Sequence, residues 1–277
     1  MPVDLYDSAY GNYAADVYRR VRVATYGEDL GQTSWVSSDE SRQIPRTLEL
    51  SSASRVLEIG CGSGGYALHL AATTGCTIVG LDLNEAGIRN ANSLAQARNL
   101  AARASFEQCD VAHPLPFPGA SFDAAFANDV LCHIPARPAL LHEILRVLKP
   151  RARLLFSDAL ILGGAVTHQE IATRSSIGTY IFVPPDHNEH LIQQAGFHLL
   201  EAADTTANAA TIATRWQAAR NDHSEALTAI EGPTNFEGLQ RFLTCVSTLC
   251  SERRLLRYLY VAEKPNELPP ANESVNS

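Results

Sequence analysis

The chain has 277 residues, 45% hydrophobic and 19% charged, with a formal net charge of −8. A packed core is therefore expected and wholesale disorder is excluded, while the acidic balance disfavours nucleic acid as a partner. No run of about 18 apolar residues occurs, so no membrane span is expected, and "MPVDLYDSAY" has no basic-then-apolar leader pattern, which points to a cytoplasmic protein.

Residues 1–50 read as an N-terminal helical cap. They are polar, helix-leaning and rich in tyrosine (Tyr6, Tyr10, Tyr13, Tyr18 and Tyr26). "SSDESRQIPRTLEL" opens with good capping residues and predicts a helix interrupted near Pro45. The basic groups "RRVR" (Arg19, Arg20, Arg22) and "SERRLLR" (Arg253, Arg254, Arg257) read as solvated helix faces rather than phosphate tracks.

From 51 to 206 short strands and helices alternate. "SRVLEIG", "CTIVGLDL", "ASFEQCD", "FDAAFAND" and "ARLLFSDAL" predict strands. "GYALHLAATTG", "NEAGIRNANSLAQARNL" (with Asn84 as N-cap) and "RPALLHEILRVLKP", stopped by Pro150, predict helices. "DHNEHLIQQAG" and "FHLLEAAD" add a helix and a strand. Residues 207–253 read as a helical insertion, 254–265 as a last strand, and 266–277 as a disordered tail. The fold class is α/β, a Rossmann-like doubly wound, mostly parallel sheet.

The glycines of "VLEIGCGSGG" follow the first strand. A glycine turn there lets a ligand approach the backbone, and the helix N-terminus behind it suits an anion. Gly60-x-Gly62-x-x-Gly65 also satisfies the dinucleotide fingerprint, with Asp82 where a ribose-binding acid belongs. On these residues alone an NAD(P)-dependent oxidoreductase remains a rival. The six cysteines form no CxxC pair, and His168, His187 and His190 are loosely spaced, so no metal is expected.

"VLEIGCGSGG", "LDLN", "EQCDV" and "SFDAAFANDVLCHIPARPALLHEILRVLKPRARLLFSDAL", in that order, resemble the class I S-adenosylmethionine-dependent methyltransferases over about residues 54–205. The resemblance implies a seven-stranded sheet ending in an antiparallel strand, "LLRYLYVAEKP", with S-adenosyl-L-methionine as cofactor. It implies that Glu58, Gly60, Cys61 and Gly62 cradle the methionine part. Asp82 would hold the ribose hydroxyls and Leu83 would pack on the adenine. Asp110 and Val111 would bind the adenine edge, and Asn128 and Asp129 would lie beneath the sulfonium. Arg151-Ala152 stands where relatives usually carry a glycine pair.

"TYGEDLGQTSWVSSDE" resembles a bacterial group of small-molecule methyltransferases related to glycine/sarcosine and phosphoethanolamine N-methyltransferases, whose N-terminal segment folds over the cofactor. Tyr26, Gln32, Ser34 and Trp35 are thus candidates for a lid. His133, four residues after Asp129, is the candidate general base, since a base near neutral pKa suits removal of an acceptor proton; Tyr13 is its candidate partner. In "RSSIGTYIFVPP", Arg174, Ser176, Tyr180 and Phe182 mix an apolar wall with few polar groups, as small-molecule pockets do. The reading is methyl transfer to a small-molecule acceptor by a monomer or homodimer, with nitrogen slightly favoured. An O- or C-methyltransferase of natural-product metabolism is the alternative, and a non-catalytic cofactor-binding protein the non-enzyme rival.

Overall fold

The computed structural model describes residues 3–266, so the tail expected to be disordered lies, past Asn266, outside the described residues. Seven strands form one sheet: β1 (Arg55–Ile59), β2 (Thr77–Asp82), β3 (Ala104–Gln108), β4 (Phe122–Asn128), β5 (Leu148–Leu162), β6 (His198–Asp204) and β7 (Leu255–Glu263). Their order is β3-β2-β1-β4-β5-β7-β6. The first five pair in parallel. The last strand, β7, runs antiparallel between β5 and β6, so β6 and not β7 takes the edge.

Both faces of the sheet are buried, and the period of two in each strand divides the core. Leu57, Ile59, Val79 and Leu81 point to one face, packed with Leu140, Leu141 and Ile144 of α6 (Arg137–Val147). Val56, Ile78, Ala124 and Phe126 point to the other, packed with Leu68, Leu70 and Ala91 of α4 (Gly65–Thr74) and α5 (Glu85–Ala97). Asn84 caps α5 by accepting from the Gly87 N–H.

The cap contains α1 (Tyr6–Gly11), α2 (Asp16–Tyr26) and α3 (Ser38–Thr47). Ser37 and Glu40 close a capping box at the start of α3, which runs through Pro45 to Thr47 rather than breaking there. The insertion supplies α9 (Thr206–Asp222), α10 (Ser224–Glu231) and α11 (Pro233–Ser251). Cap and insertion share one apolar cluster, in which Tyr18, Val21, Tyr26 and Trp35 meet Trp216, Leu239 and Phe242. They form a single helical layer beside the sheet. Between β5 and β6 lie α7 (His168–Arg174) and α8 (His187–Gln194).

Two further local expectations change, and the Arg151 departure takes a definite form. Helix α6 stops at Val147, and Pro150 lies inside the long strand β5. Arg151, standing where relatives usually have glycine, holds a left-handed backbone (φ 63°) and donates its N–H to the Lys264 carbonyl. The basic groups are not simply solvated faces. Arg22 is buried with its fork on Asp29, and Arg257 is fully buried on β7, bonded to Asp129 and Glu40. An isolated buried guanidinium is costly, so both have been given carboxylates.

Candidate functional site

In an open parallel sheet, ligands bind beyond the carboxyl ends of the strands, where the strand order reverses. Here the reversal lies between β1 and β4, and a cavity of about 670 Å³ opens there. Its floor is made by Gly60 after β1, Asp82 and Leu83 after β2, Asp110 and Val111 after β3, and Asn128 and Asp129 after β4. Tyr6, Tyr10, Ser34 and Trp35 of the cap, with His133, Arg174 and Tyr180, form the remaining wall.

The glycine loop is tight for two reasons. Gly60 has φ 71°, and a Cβ there would meet a Val130 methyl at 2.3 Å. Gly62 has φ 51°, and its Cβ would meet the Tyr10 hydroxyl at 2.7 Å. Gly65 is tighter still, since a Cβ would fall 1.5 Å from the Leu30 carbonyl oxygen. Part of the bare backbone therefore receives the chain's own cap and not a ligand. Behind the loop the Glu58 carboxyl is fully buried with one oxygen unpartnered, and burial raises its pKa well above the ordinary carboxylate range.

The floor is polar and ordered. The Asp82 carboxylate accepts from the Gly62 N–H (2.7 Å) and the Asn84 N–H (2.8 Å). Burial raises its pKa, and those backbone donors pull it back. Asp110 accepts from the Ala112 N–H. Leu83 is 66% exposed, an apolar platform at the cavity. The buried Asn128 Nδ2 has no hydrogen-bond partner.

Asp129 is more engaged than a residue beneath a ligand needs to be. It adopts φ 59°. Its carboxylate accepts from Arg257 (2.9 Å), Ser157 Oγ (2.9 Å) and the Trp35 N–H (2.8 Å), so it joins β4, β7 and the cap.

Opposite the floor, His133 sits on a short 3-10 turn after β4. Its Nδ1 lies 3.0 Å from the Thr179 carbonyl and its Nε2 3.0 Å from the Tyr6 hydroxyl. A carbonyl can only accept, so Nδ1 carries the proton, Nε2 is the acceptor, and Tyr6 donates. Burial holds the His133 pKa down at about 4, with Arg174 pushing the same way and the Thr179 bond opposing. Burial raises the Tyr6 phenol well above its ordinary range. The imidazole is neutral near pH 7, and the phenol stays protonated.

Arg174, at the end of α7, is 1% exposed. Its guanidinium carbon lies 4.3 Å from the ring centre of Tyr180, 5.1 Å from Phe242 and 5.8 Å from Trp35. Neither Nε nor Nη1 has a hydrogen-bond partner.

Of the residues singled out from sequence, Gly60, Asp82, Leu83, Asp110, Val111, Asn128, Asp129, Ser34, Trp35, His133, Arg174 and Tyr180 come together around this cavity. Others do not line it. Glu58 and Cys61 are buried behind the loop, and Gly62 faces Tyr10. Gln32 closes a local turn with the Leu30 N–H, and the Tyr26 hydroxyl donates to the Ser34 carbonyl inside the helical layer. The Ser176 hydroxyl is buried without a partner outside the cavity lining, and Phe182 packs against an apolar cluster with Leu160 and Leu249. Tyr13 is not the partner of His133. It follows the end of α1 and lies under the Arg22 guanidinium, 4.5 Å from its ring centre. Tyr6 occupies the place expected for Tyr13. Tyr6 and Tyr10 are four apart on α1, hence on one helix face, and that spacing was the available signal. Among the described residues no three His, Cys, Asp or Glu side chains group as a metal site requires, and no helix is long and apolar enough to cross a membrane.

Residues 50–205 match a family model described as a methyltransferase domain. The chain is 31% identical over 172 residues to methyltransferase GfsG of Streptomyces halstedii, spanning 60% of each protein. It is 31% identical over 211 residues to O-methyltransferase resE of Aspergillus sclerotiorum, covering 74% of this chain and 78% of that one. The solved structure of phosphoethanolamine N-methyltransferase 2 of Haemonchus contortus superposes with a TM-score of 0.79 at 21% identity, covering 96% of this chain and 61% of that one. At that identity the likeness establishes the fold.

Proposed function

We propose, because the chain belongs to the class I S-adenosylmethionine-dependent methyltransferases, that it methylates a small molecule enclosed in the 670 Å³ cavity. The observation that carries this is the joining of two unlike walls in one space. One has acids at successive strand ends beside an apolar platform. The other has aromatic rings, a neutral histidine and an arginine.

The residues present fit S-adenosylmethionine. Asp82 suits its ribose diol, Leu83 an adenine face, Asp110 and the Val111 N–H the adenine edge, and the unpartnered Asn128 Nδ2 a ligand oxygen. When bound, this cofactor supplies an electrophilic methyl group on a positively charged sulfur. The protein's part is mainly placement, which can lower such a barrier by several powers of ten. The cap roofs part of the cavity and is clipped to the core, since Asn90 Nδ2 donates to the Tyr10 carbonyl and Asn84 Nδ2 to Asp7.

His133 orients Tyr6, and the pair can take a proton from an acceptor through the phenol oxygen. A base held near pKa 4 is weak, so this relay serves an acidic acceptor far better than an ammonium or an alcohol. The test is calorimetry with S-adenosylhomocysteine and with NAD(P), followed by a methyl-transfer screen. Micromolar binding of the first alone, with transfer to at least one metabolite, supports the reading. Binding of NAD(P) instead would overturn it.

A further inference from the structure

Five arginines are buried: Arg22, Arg137, Arg174, Arg220 and Arg257. Four of them hold carboxylates. Arg22 pairs with Asp29, Arg137 with Asp158, Arg220 with Glu231, and Arg257 with both Asp129 and Glu40. Arg174 forms no ion pair among the described residues, and two of its nitrogens lack any partner. It is also the one of the five that lines the large cavity.

Leaving a guanidinium buried and unpaired is costly. Faces of Tyr180, Phe242 and Trp35 recover part of that cost through cation–π attraction. They leave Nε and Nη1 without an acceptor, and the N–H edge is the part of arginine that recognises an oxyanion through two parallel hydrogen bonds. The position is preset. Helix α7 opens with a Thr167–Glu170 capping box, and Glu170 is forked by Arg254 at 2.7 and 2.8 Å.

We propose that the methyl acceptor carries one negatively charged oxygen group, a carboxylate or an ionised phenol or enol, held by Arg174. The inference deepens the methyltransferase reading and rests on it. The charge count favours a monoanion over a phosphate dianion. The ionisable groups that act on it are the phenol of Tyr180 and the thiols of Cys132, Cys245 and Cys250, which burial keeps protonated. His133 is neutral, and the Asp129 carboxylate is already committed to Arg257. One positive charge is thus left for the ligand to answer. A protonated amine would meet Arg174 and the cofactor's sulfonium as like charges, whereas an oxyanion is attracted by both.

The test uses the full chain and thermal melting at fixed ionic strength, with chloride as the background anion. Probes are formate, benzoate, 4-nitrophenolate, benzamide and inorganic phosphate, applied to the wild type, R174M and R174K. Benzoate or 4-nitrophenolate is expected to raise the melting temperature saturably, at least tenfold more tightly than benzamide, and formate weakly. Whichever of the two aromatic anions binds better separates carboxylate from phenolate. R174M should lose the anion response and R174K keep part of it. Stabilisation by S-adenosylhomocysteine should persist in R174M, and its loss in the wild type would instead indict the cofactor reading. The proposal fails if no monoanion protects the wild type, if R174M responds as the wild type does, or if phosphate protects best.

Discussion

The side of the cavity proposed for the cofactor is assembled from four strand ends, Gly60, Asp82–Leu83, Asp110–Val111 and Asn128–Asp129. The side proposed for the acceptor takes Tyr6 and Trp35 from the cap, His133 from the turn after β4, and Arg174 and Tyr180 from the segment after β5. On the first side the carboxylates have partners within the fold: Asp82 has two backbone N–H groups, and Asp129 has Arg257, Ser157 and the Trp35 N–H. On the second side Arg174 is left open. A site for an invariant ligand can be preorganised by the backbone itself. A site that waits for its substrate leaves a charge for that substrate to complete.

Arginine replacement tests that contrast most severely. Arg257→Met leaves Asp129 and Glu40 buried without their cation, and should cost about 3–5 kcal/mol in urea unfolding. Arg174→Met removes a charge that has no protein partner and replaces it with an apolar chain among aromatic rings. Its unfolding free energy should stay level or rise. Equal losses in the two variants would erase the distinction between the two sides. Next in size, Asp82→Ala should weaken S-adenosylhomocysteine binding by about 100-fold in calorimetry, since ligand contacts and the loop's anchor are lost together. Arg174→Met should leave that affinity unchanged.

The two sides were also unequally legible in the sequence. Strand-end acids and the glycine turn follow from local patterns, because a strand, a turn and a helix fix them within a few residues. Asp82, Asp110 and Asn128 accordingly line the cavity. The buried roles of Arg22 and Arg257 were not visible, because Asp29, Glu40 and Asp129 reach them only through the tertiary fold. Tyr13 does not meet His133, because α1 ends at Gly11 and Tyr13 turns toward Arg22, which nothing in the local sequence signals. The glycine pattern reads as room for a ligand, but Gly65 is required by the Leu30 carbonyl, a contact that exists only after the cap has folded over.

His133 sharpens the comparison through pH. Its folded pKa of about 4 lies below the ordinary 6.5. Between those values the unfolded chain binds more protons than the folded one, so stability falls as pH drops through that window and is complete above it. Allowing for partial exposure, the contribution is about 2 kcal/mol. His133→Asn should flatten the pH dependence of unfolding between about 6.5 and 4. It should also lower turnover while leaving S-adenosylhomocysteine affinity intact. An unchanged slope would mean that the imidazole is solvated, and the tight Tyr6–His133 wall would be wrong.

The smallest effect concerns the roof that the two sides share. Asn90 on α5 donates to the Tyr10 carbonyl at 2.8 Å, clipping α1 over the floor. Asn90→Ala removes this bond and a longer one to Ser63 Oγ (3.4 Å), a loss of about 1 kcal/mol, enough for a roughly fivefold change in binding. Because the clip holds the lid and touches no ligand, S-adenosylhomocysteine should dissociate faster in stopped-flow measurements. The benzoate response at Arg174 should keep its preference over benzamide, since that cation is fixed from α7 and its three rings and not from α1. If loosening α1 abolishes the anion preference as well, the acceptor side depends on the same lid as the cofactor side, and the two are one cooperative site.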